Sequence, residues 1–420
     1  MNILPVHDLP NGHLNTCQIC GSGELLPIIN LGHHAPCDSL LWPRQLNEAE
    51  SRYPLNLVRC KECGLVQIDY VVPAEELFFP DYPYRSGITS TLVSNLKSTG
   101  PTIMNRFSIS KGKLAVDIGS NDGTLLSGFQ EAGMKVLGVE PTNIAKIAND
   151  HGIETMQVFF DEDVARKIVE SHGKAAVVTA ANMFAHVSKL GSLIRGVESL
   201  LVDDGIFVSE SHYLMDLIDT VQYDSIYHEH LKYYSVKSIV KLFSYYDFTV
   251  VDVDRIPNYG GSIRVYAQKG KGRPVGSAVT ELIKEEEKEG LYNDSAYAEF
   301  VSSVVKSKRQ LLKLIVDALS NGDRVVGIGS PGRAATLLGY CGVDSDMMTY
   351  IAEQSSSLKL GLFMPGCHIP IIDESTMLDQ QPEYAVLLSW HYWKPIVEKL
   401  RQKGLKSKIV LPLPEVRILD

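Results

Sequence analysis

Residues 113–126 read KLAVDIGSNDGTLL, and this stretch decides the class of fold. It begins as an apolar run of strand length and continues as a glycine-containing turn that opens a helix. Further strand-like runs follow, separated by helical segments: KVLGVEP (135–141), AAVVTAAN (175–182) and GIFVSES (205–211). Strands that alternate with helices predict βαβ units in a parallel, doubly wound sheet. We therefore expect an α/β fold.

The turn at residues 119–123 lies where such folds bind a nucleotide. A dinucleotide favours G-x-G-x-x-G, but Asn121 occupies the place of the central glycine, and Asp117 and Asp122 flank the turn. Two carboxylates repel a pyrophosphate and attract a ligand that carries an ammonium and a sulfonium group. The charges therefore favour S-adenosylmethionine (SAM) over NAD, and a glycine turn without a ligand is the third alternative.

Two further polar residues end strands beside this turn. Glu140 lies 21 positions beyond Gly119, where a carboxylate can hold both hydroxyls of a ribose. Asn182 ends a later strand and would lie near the same crevice. The residues expected to bind SAM are Asp117, Gly119, Ser120, Asn121, Gly123, Glu140 and Asn182.

Four of the seven cysteines form two matched C-x-x-C-G units, CQICG (17–21) and CKECG (60–64). Glycine tolerates the backbone angle that follows the second thiolate of a zinc knuckle. Four thiolates make a closed, tetrahedral and non-catalytic zinc site; ordinary turn cysteines or a redox C-x-x-C are the alternatives. The pairs are separated by 39 residues, so a long loop must be accommodated. We expect zinc on Cys17, Cys20, Cys60 and Cys63.

Composition excludes several classes of protein. The 420 residues carry 40 Lys and Arg against 50 Asp and Glu, a net charge of -10 that does not suit general nucleic-acid binding. No run approaches the roughly 18–20 apolar residues of a membrane helix. The first residues lack the basic and apolar regions of a secretory signal. We expect a cytoplasmic protein with neither a membrane nor a nucleic-acid partner.

Shifts in pattern divide the chain into four parts. The cysteine pairs lie in residues 1–75, a helical connector spans 76–112, and the SAM-binding Rossmann-like domain spans 113–268. Residues 269–420 hold one long charged helix and then a second αβ unit that begins with RVVGIGSPGRAATLL (324–338).

Three more motifs occur in order: ANMFAHV (181–187), YHEHLKYYS (227–235) and GGSIR (260–264). Together with the cysteine pairs, the SAM turn and the C-terminal αβ unit, they resemble the sugar C-methyltransferases of deoxysugar biosynthesis, which act on nucleotide-linked keto-hexoses. The resemblance covers nearly the whole chain. It implies a class I Rossmann-like methyltransferase sheet, an N-terminal zinc-binding module and a C-terminal α/β domain that closes over the sugar nucleotide. Tyr259 departs from the family, which often has histidine before the paired glycines.

The resemblance also implies a set of catalytic residues. A sugar carbon alpha to a ketone becomes nucleophilic when it loses its proton, which needs a base, a donor for the oxyanion and alignment with SAM. We expect His230 as the base, with Glu229 orienting it and His186 as its rival. Tyr84, Tyr227 and His186 are candidates for holding the keto oxygen or positioning the ring. Judged without the resemblance, tyrosines in aromatic runs are more typical of packing.

Gly327-x-Gly329-x-x-Gly332 opens the C-terminal helix and is followed by Arg333. Such a loop can bind a pyrophosphate, which the resemblance assigns to the sugar nucleotide; a glycine turn for close packing is the alternative. The residues expected to bind this substrate are Gly260, Gly261, Arg264, Gly327, Gly329 and Arg333.

These observations together predict a SAM-dependent C-methyltransferase that acts at C3 of a nucleoside-diphosphate 4-keto-deoxyhexose through an enolate. Two alternatives remain at this point. A sugar O- or N-methyltransferase needs no acidic carbon. A zinc-containing binding protein needs no catalysis at all.

Overall fold

The computed structural model describes residues 7–79, 85–88 and 90–419. Its N-terminal module is a four-stranded antiparallel sheet of order β11-β4-β3-β2, accompanied by the β1–β5 pair. The elements of this module are β1 (Gly12–His13), β2 (Leu25–His34), β3 (Tyr53–Cys60), β4 (Val66–Ile68), β5 (Tyr70–Val71) and α1 (Ala74–Leu77).

The central domain is a seven-stranded sheet of order β12-β13-β10-β9-β6-β7-β8. Its five strands from β10 to β8 are parallel, and β13 runs antiparallel to both neighbours. The predicted Rossmann-like methyltransferase sheet is therefore confirmed. Its helices are α2 (Ser90–Arg106), α3 (Thr124–Glu131), α4 (Ile144–Asp150), α5 (Glu162–His172), α6 (Leu190–Leu200), α7 (Leu214–Asp219) and α8 (Val236–Phe243). Its strands are β6 (Leu114–Ile118), β7 (Lys135–Val139), β8 (Thr155–Met156), β9 (Ala175–Ala181), β10 (Leu201–His212), β12 (Phe248–Ile256) and β13 (Ser262–Lys269).

The C-terminal domain has a six-stranded sheet of order β16-β15-β14-β17-β18-β19, parallel except for β19. Its strands are β14 (Val325–Ile328), β15 (Ile351–Glu353), β16 (Ile371–Asp373), β17 (Tyr384–Leu387), β18 (Lys408–Leu411) and β19 (Arg417–Leu419). Its helices, with the two that precede it, are α9 (Ser277–Lys288), α10 (Asp294–Ser320), α11 (Arg333–Cys341), α12 (Glu374–Gln380) and α13 (Trp393–Gln402).

The single long helix expected before this domain is wrong, because the chain forms two helices. The helix α9 ends at Lys288, and Gly290 then adopts a φ of 73°. That angle lies in the left-handed region, where glycine is the residue with no steric penalty. The buried Glu286 secures the break, since it accepts hydrogen bonds from the Tyr213 and Tyr292 hydroxyls.

The N-terminal module is interlocked with the central domain through one short strand. The strand β11 (Lys232–Tyr233) follows His230 in the chain but pairs with β4 of the N-terminal sheet. Leu231 extends the junction, since its carbonyl accepts from Ile68 N–H at 3.1 Å and its N–H donates to Ala185 O at 3.1 Å. The segments that carry His186 and His230 are thus bonded to the cysteine-bearing module.

Within the described part of the chain, none of the helices combines the length and the apolar character that crossing a membrane requires.

Candidate active site

The turn after β6 is shaped by left-handed backbone positions. Gly119, Asn121 and Gly123 have φ values of 71°, 49° and 78°. A side chain at Gly119 would have its Cβ 2.9 Å from Met183 Cγ, so only glycine leaves room there. The turn therefore presents bare backbone at the carboxyl end of the sheet, where the sequence places the nucleotide.

Glu140 is held in a fixed orientation at the end of β7. Its Oε2 accepts a hydrogen bond from Asn121 N–H at 3.0 Å. Its Oε1 accepts from the N–H and the hydroxyl of Thr142 at 3.0 and 2.7 Å. Oε1 already accepts two hydrogen bonds and Oε2 only one, so Oε2 can receive a ribose hydroxyl without reorganising.

Asp117 is buried near the turn, and its carboxylate accepts a hydrogen bond from a residue on the adjacent strand β9. Thr179, its direct neighbour in the β6–β9 register, donates its hydroxyl to Asp117 Oδ1 at 2.6 Å. Burial raises the pKa of Asp117 to about 7, Thr179 opposes the shift, and the charge of Glu140 adds to it. The sequence analysis missed Thr179, whose signal is a lone hydroxyl in an apolar strand.

Two buried polar atoms at this crevice are unsatisfied. Ser120 Oγ and Asn182 Oδ1 have no hydrogen-bond partner among the described residues. Buried polar groups are normally paired, so these atoms fit a ligand that supplies donors. Asn182 follows β9 with a φ of 56°, and its carbonyl oxygen suits an ammonium group.

Asp122 does not take the role in cofactor charge that the sequence suggested. Its Oδ2 accepts from Gly87 N–H at 2.8 Å, and its Oδ1 accepts from the Thr124 hydroxyl at 2.6 Å. The Arg85 Nε lies 3.8 Å from Oδ2. Asp122 therefore fastens the segment 85–88 over the turn.

Three histidines lie together next to this crevice. The His230 ring centroid is 5.0 Å from that of His186 and 4.7 Å from that of His212. All three line one small cavity with Asn182, Ala185 and Ser211. Burial is the main cause that lowers the pKa of each imidazole, and the three are neutral at pH 7.

The tautomer of His230 follows from its one backbone contact. Its Nδ1 lies 2.8 Å from the carbonyl oxygen of Ser225. A carbonyl can only accept, so Nδ1 carries the proton and Nε2 keeps its lone pair. Burial lowers the pKa of His230 to about 3, the Ser225 carbonyl opposes this shift, and Arg333 adds to it. His230 is thus a neutral imidazole whose Nε2 carries a lone pair.

The four predicted zinc ligands converge in the N-terminal module. Their sulfur atoms all lie within 4.8 Å of one another, and the Cys17–Cys63 and Cys20–Cys60 pairs are 3.4 Å apart. Zinc–sulfur bonds of about 2.3 Å in a tetrahedron place sulfurs about 3.8 Å apart, which fits this cluster. The two knuckles match, because Gly21 and Gly64 both have a φ of 74°.

Comparison with known proteins agrees with these sites. Over 411 residues the chain is 31% identical to C-methyltransferase NovU from Streptomyces niveus, and the match covers 97% of each chain. Family models match in order a zinc binding domain (17–78), a methyltransferase domain (98–253) and a C-methyltransferase C-terminal domain (257–414). The chain belongs to the C-methyltransferase family. It is a SAM-dependent enzyme with a structural zinc site and a small-molecule substrate.

Solved methyltransferase structures are similar to part of this chain at low identity. Magnesium protoporphyrin IX methyltransferase (ChlM) from Synechocystis PCC 6803 with bound SAM is 14% identical, with 43% of this chain and 82% of that chain covered and a TM-score of 0.32. A SAM-dependent methyltransferase from Anabaena variabilis ATCC 29413 is 15% identical, with 42% and 86% covered and a TM-score of 0.33.

In this C-methyltransferase, Tyr227 and Glu229 have different neighbours. The Tyr227 ring centroid is 4.0 Å from that of His230. Glu229 accepts a hydrogen bond from Cys37 Sγ at 3.4 Å and forms a buried cluster with Cys37 and Asp38. Tyr84, the remaining predicted catalytic residue, lies outside the described residues.

Arg333 reaches the histidines from the start of α11. Its guanidinium donates to Ser225 Oγ, to Tyr259 O at 3.1 Å and to Gln222 Oε1 at 3.3 Å. It also lies 3.6 Å from Asp224 Oδ2. The C-terminal domain of the C-methyltransferase thereby contributes a cation to the histidine cavity.

The other predicted substrate residues have internal partners. A Cβ at Gly260 would lie 2.9 Å from the Gln222 amide, and one at Gly261 would lie 2.3 Å from Asp216. Arg264 pairs with the buried Glu210 at 2.9 Å. These contacts give the three residues a packing role, while their binding of substrate stays a prediction.

The glycine loop of the C-terminal domain is similarly engaged. Ser330 N–H donates to Glu353 at 2.9 Å, and Lys359 Nζ donates to Ser330 O at 2.8 Å. A Cβ at Gly327 would lie 2.9 Å from Ile351, and one at Gly329 would lie 2.6 Å from Ser389 Oγ. The glycines therefore permit the close approach of a neighbouring strand and loop, and pyrophosphate binding by this loop stays a prediction.

Proposed function

We propose that the enzyme methylates C3 of a nucleoside-diphosphate 4-keto-deoxyhexose through an enolate. The observation that carries this proposal is the unprotonated Nε2 of His230 in a cavity shared with Asn182. Methylation of carbon needs a base beside the cofactor crevice, whereas methylation of an existing amine does not need one.

The residues of this cavity support proton removal from carbon. His230 is neutral at pH 7, so its Nε2 can take the proton alpha to the ketone. The electron pair of that C–H bond then moves into the carbon–carbon bond as the carbonyl pair moves onto oxygen. His186 and Tyr227 lie close enough to the His230 ring to hold the sugar against Nε2. For Tyr84, the proposal that it holds the keto oxygen or positions the sugar ring rests on the family resemblance.

The cofactor would be held by groups already oriented for it. Glu140 would receive a ribose hydroxyl on Oε2, and Asp117 and Asn182 would face the ammonium group. When bound, SAM supplies an electrophilic methyl group on a sulfonium. We also propose that residues 113–268 hold SAM and that residues 269–420 hold the sugar nucleotide, with Arg333 at the junction.

The test is methyl transfer from SAM labelled with ¹³C on its methyl group. Thymidine-, cytidine- and guanosine-diphosphate 4-keto-6-deoxyhexoses would serve as the acceptor panel, and NMR would locate the label. We expect one acceptor to gain a ¹³C–C bond at C3. A label on oxygen or nitrogen, or no transfer to any member, would overturn the proposal.

Asp117 gives a prediction about pH. A cationic ligand favours the ionised carboxylate, so binding below its raised pKa of about 7 must displace a proton. The affinity for S-adenosylhomocysteine, whose ammonium remains charged, should therefore rise about tenfold from pH 6 to pH 8. Calorimetry on the wild type and on Asp117→Asn checks this. If the affinity of Asp117→Asn changed with pH as steeply as that of the wild type, Asp117 would not be the residue that binds the ammonium group.

A further inference from the structure

His212 is a member of the histidine cavity to which the sequence analysis gave no role. It ends β10, one strand along from β9, which Asn182 follows. Its ring lines the cavity with His230 and His186. Because it lies at the same edge of the sheet as the cofactor turn, its chemistry bears on whatever occupies the cavity.

The proton of His212 can be placed from its neighbour. His212 Nε2 lies 3.5 Å from Arg333 Nη2. A guanidinium carries donors only, so this contact favours the tautomer with a lone pair on Nε2 over the one with an N–H there. Since the imidazole is neutral, the proton is on Nδ1. None of the described residues accepts a hydrogen bond from that Nδ1–H.

His212 and His230 therefore present opposite groups to one cavity. Ser225 O leaves His230 with a free lone pair, whereas Arg333 leaves His212 with a free N–H. Their ring centroids are 4.7 Å apart. A base and a hydrogen-bond donor are the two groups that enolisation of an H–C–C=O unit needs, and neighbouring rings supply one each.

We propose that His212 donates its Nδ1–H to the keto oxygen and stabilises the enolate that His230 generates. This inference rests on the proposed function. The negative charge that develops on the keto oxygen is stabilised by the positive charge of Arg333, which contacts the opposite nitrogen of the His212 ring. His212 then acts as a hydrogen-bond donor and keeps its proton. When the carbonyl re-forms as the carbon bonds to the methyl group, the extra proton remains on His230.

Two substitutions separate this role from a structural one. In His212→Asn the amide nitrogen can replace Nδ1, whereas in His212→Gln the amide oxygen can replace only Nε2 and its contact with Arg333. The measurement is loss of the C3 proton of the accepted keto sugar into deuterated water without SAM. We expect His212→Gln to slow this exchange by about 100-fold, as for a lost oxyanion donor. We expect His212→Asn to stay within about tenfold of wild type on the same reasoning.

Two results would overturn the role of His212 while leaving the proposed function intact. The first is C3 proton exchange by His212→Gln at the wild-type rate. The second is near-normal exchange by His212→Gln together with slow exchange by His212→Asn. Long-range ¹H–¹⁵N spectra of the histidines give an independent test, because a proton found on Nε2 of His212 contradicts the inference. Absence of exchange by the wild type would instead overturn the proposed function itself. Binding of S-adenosylhomocysteine should be equal in all three proteins, which controls for folding.

Discussion

Replacing His230 with glutamine should lower kcat for methyl transfer by roughly 1,000-fold, the order expected when a general base is lost. Glutamine has an amide of similar reach but no basic nitrogen at the place of Nε2. His230 lines the cavity and does not belong to the turn that we propose holds the cofactor. Affinity for S-adenosylhomocysteine should therefore stay within about twofold, a change under 0.5 kcal/mol. Steady-state kinetics and calorimetry give the two numbers.

The matched control lies in the same motif. His228 is also buried, but its Nε2 faces Pro54 O at 3.2 Å and its ring packs on Tyr53 in the N-terminal module. His228→Gln should therefore keep most of the methyl transfer. If His230→Gln retained activity and His186→Gln lost it, His186 would be the base and our assignment would be wrong.

Replacing Cys60 with serine should remove zinc and unfold the N-terminal module. Structural zinc in small zinc-finger peptides contributes about 10–16 kcal/mol of apparent binding free energy, so loss of one thiolate is severe. Even a loss of about 5 kcal/mol would lower Tm by about 10 °C or more. Metal analysis and calorimetry on the purified variant would measure both effects.

This variant should also lose methyl transfer, because the first cysteine turn is hydrogen-bonded to the segment that follows His186, one of the residues that we propose act in catalysis. Gln18, between the first two cysteines, donates to Ser188 O at 2.8 Å. Lys232, two residues after His230, donates to Val187 O at 2.6 Å. Unfolding the module thus releases the chain on which His186 and His230 sit. Loss of zinc would thus lower activity by displacing these segments and would not directly remove a catalytic group.

Cys367→Ser is the control for this prediction. Cys367 is a buried cysteine of the C-terminal domain and stands apart from the sulfur cluster. It should keep one zinc per chain and near-normal kinetics. If Cys60→Ser retained a full equivalent of zinc and the wild-type Tm, the cluster would not be the metal site.

The sequence was sufficient to predict the positions of site residues whose neighbours are close in the chain. The β6 turn and Glu140 belong to one βαβ unit of fixed geometry, so spacing alone located them. The two C-x-x-C-G units are each self-contained turns, and their identical glycine angles explain why the pattern was readable. Both features depend on neighbours within about 25 residues, which is the range over which spacing implies position.

The sequence was insufficient where contacts join distant segments. Arg333 was expected on a pyrophosphate loop, yet its guanidinium reaches Ser225, 108 residues away in the chain. His212 has no motif of its own and gained its significance only from the ring of His230. Asp122 was expected near the cationic cofactor because of its negative charge, but its carboxylate accepts a hydrogen bond from Gly87 N–H. Tertiary packing decides such partners, and no local pattern encodes it.

The most direct test of the account is proton exchange by the wild-type enzyme. The accepted keto sugar would be incubated with enzyme in deuterated water without SAM, and deuterium would be located by NMR. We expect deuterium at C3 alone, with the rate lost in His230→Gln and kept in His228→Gln. A substrate that is methylated by the enzyme but never exchanges its C3 proton, or that exchanges equally well with His230→Gln, would contradict an enolate formed by His230.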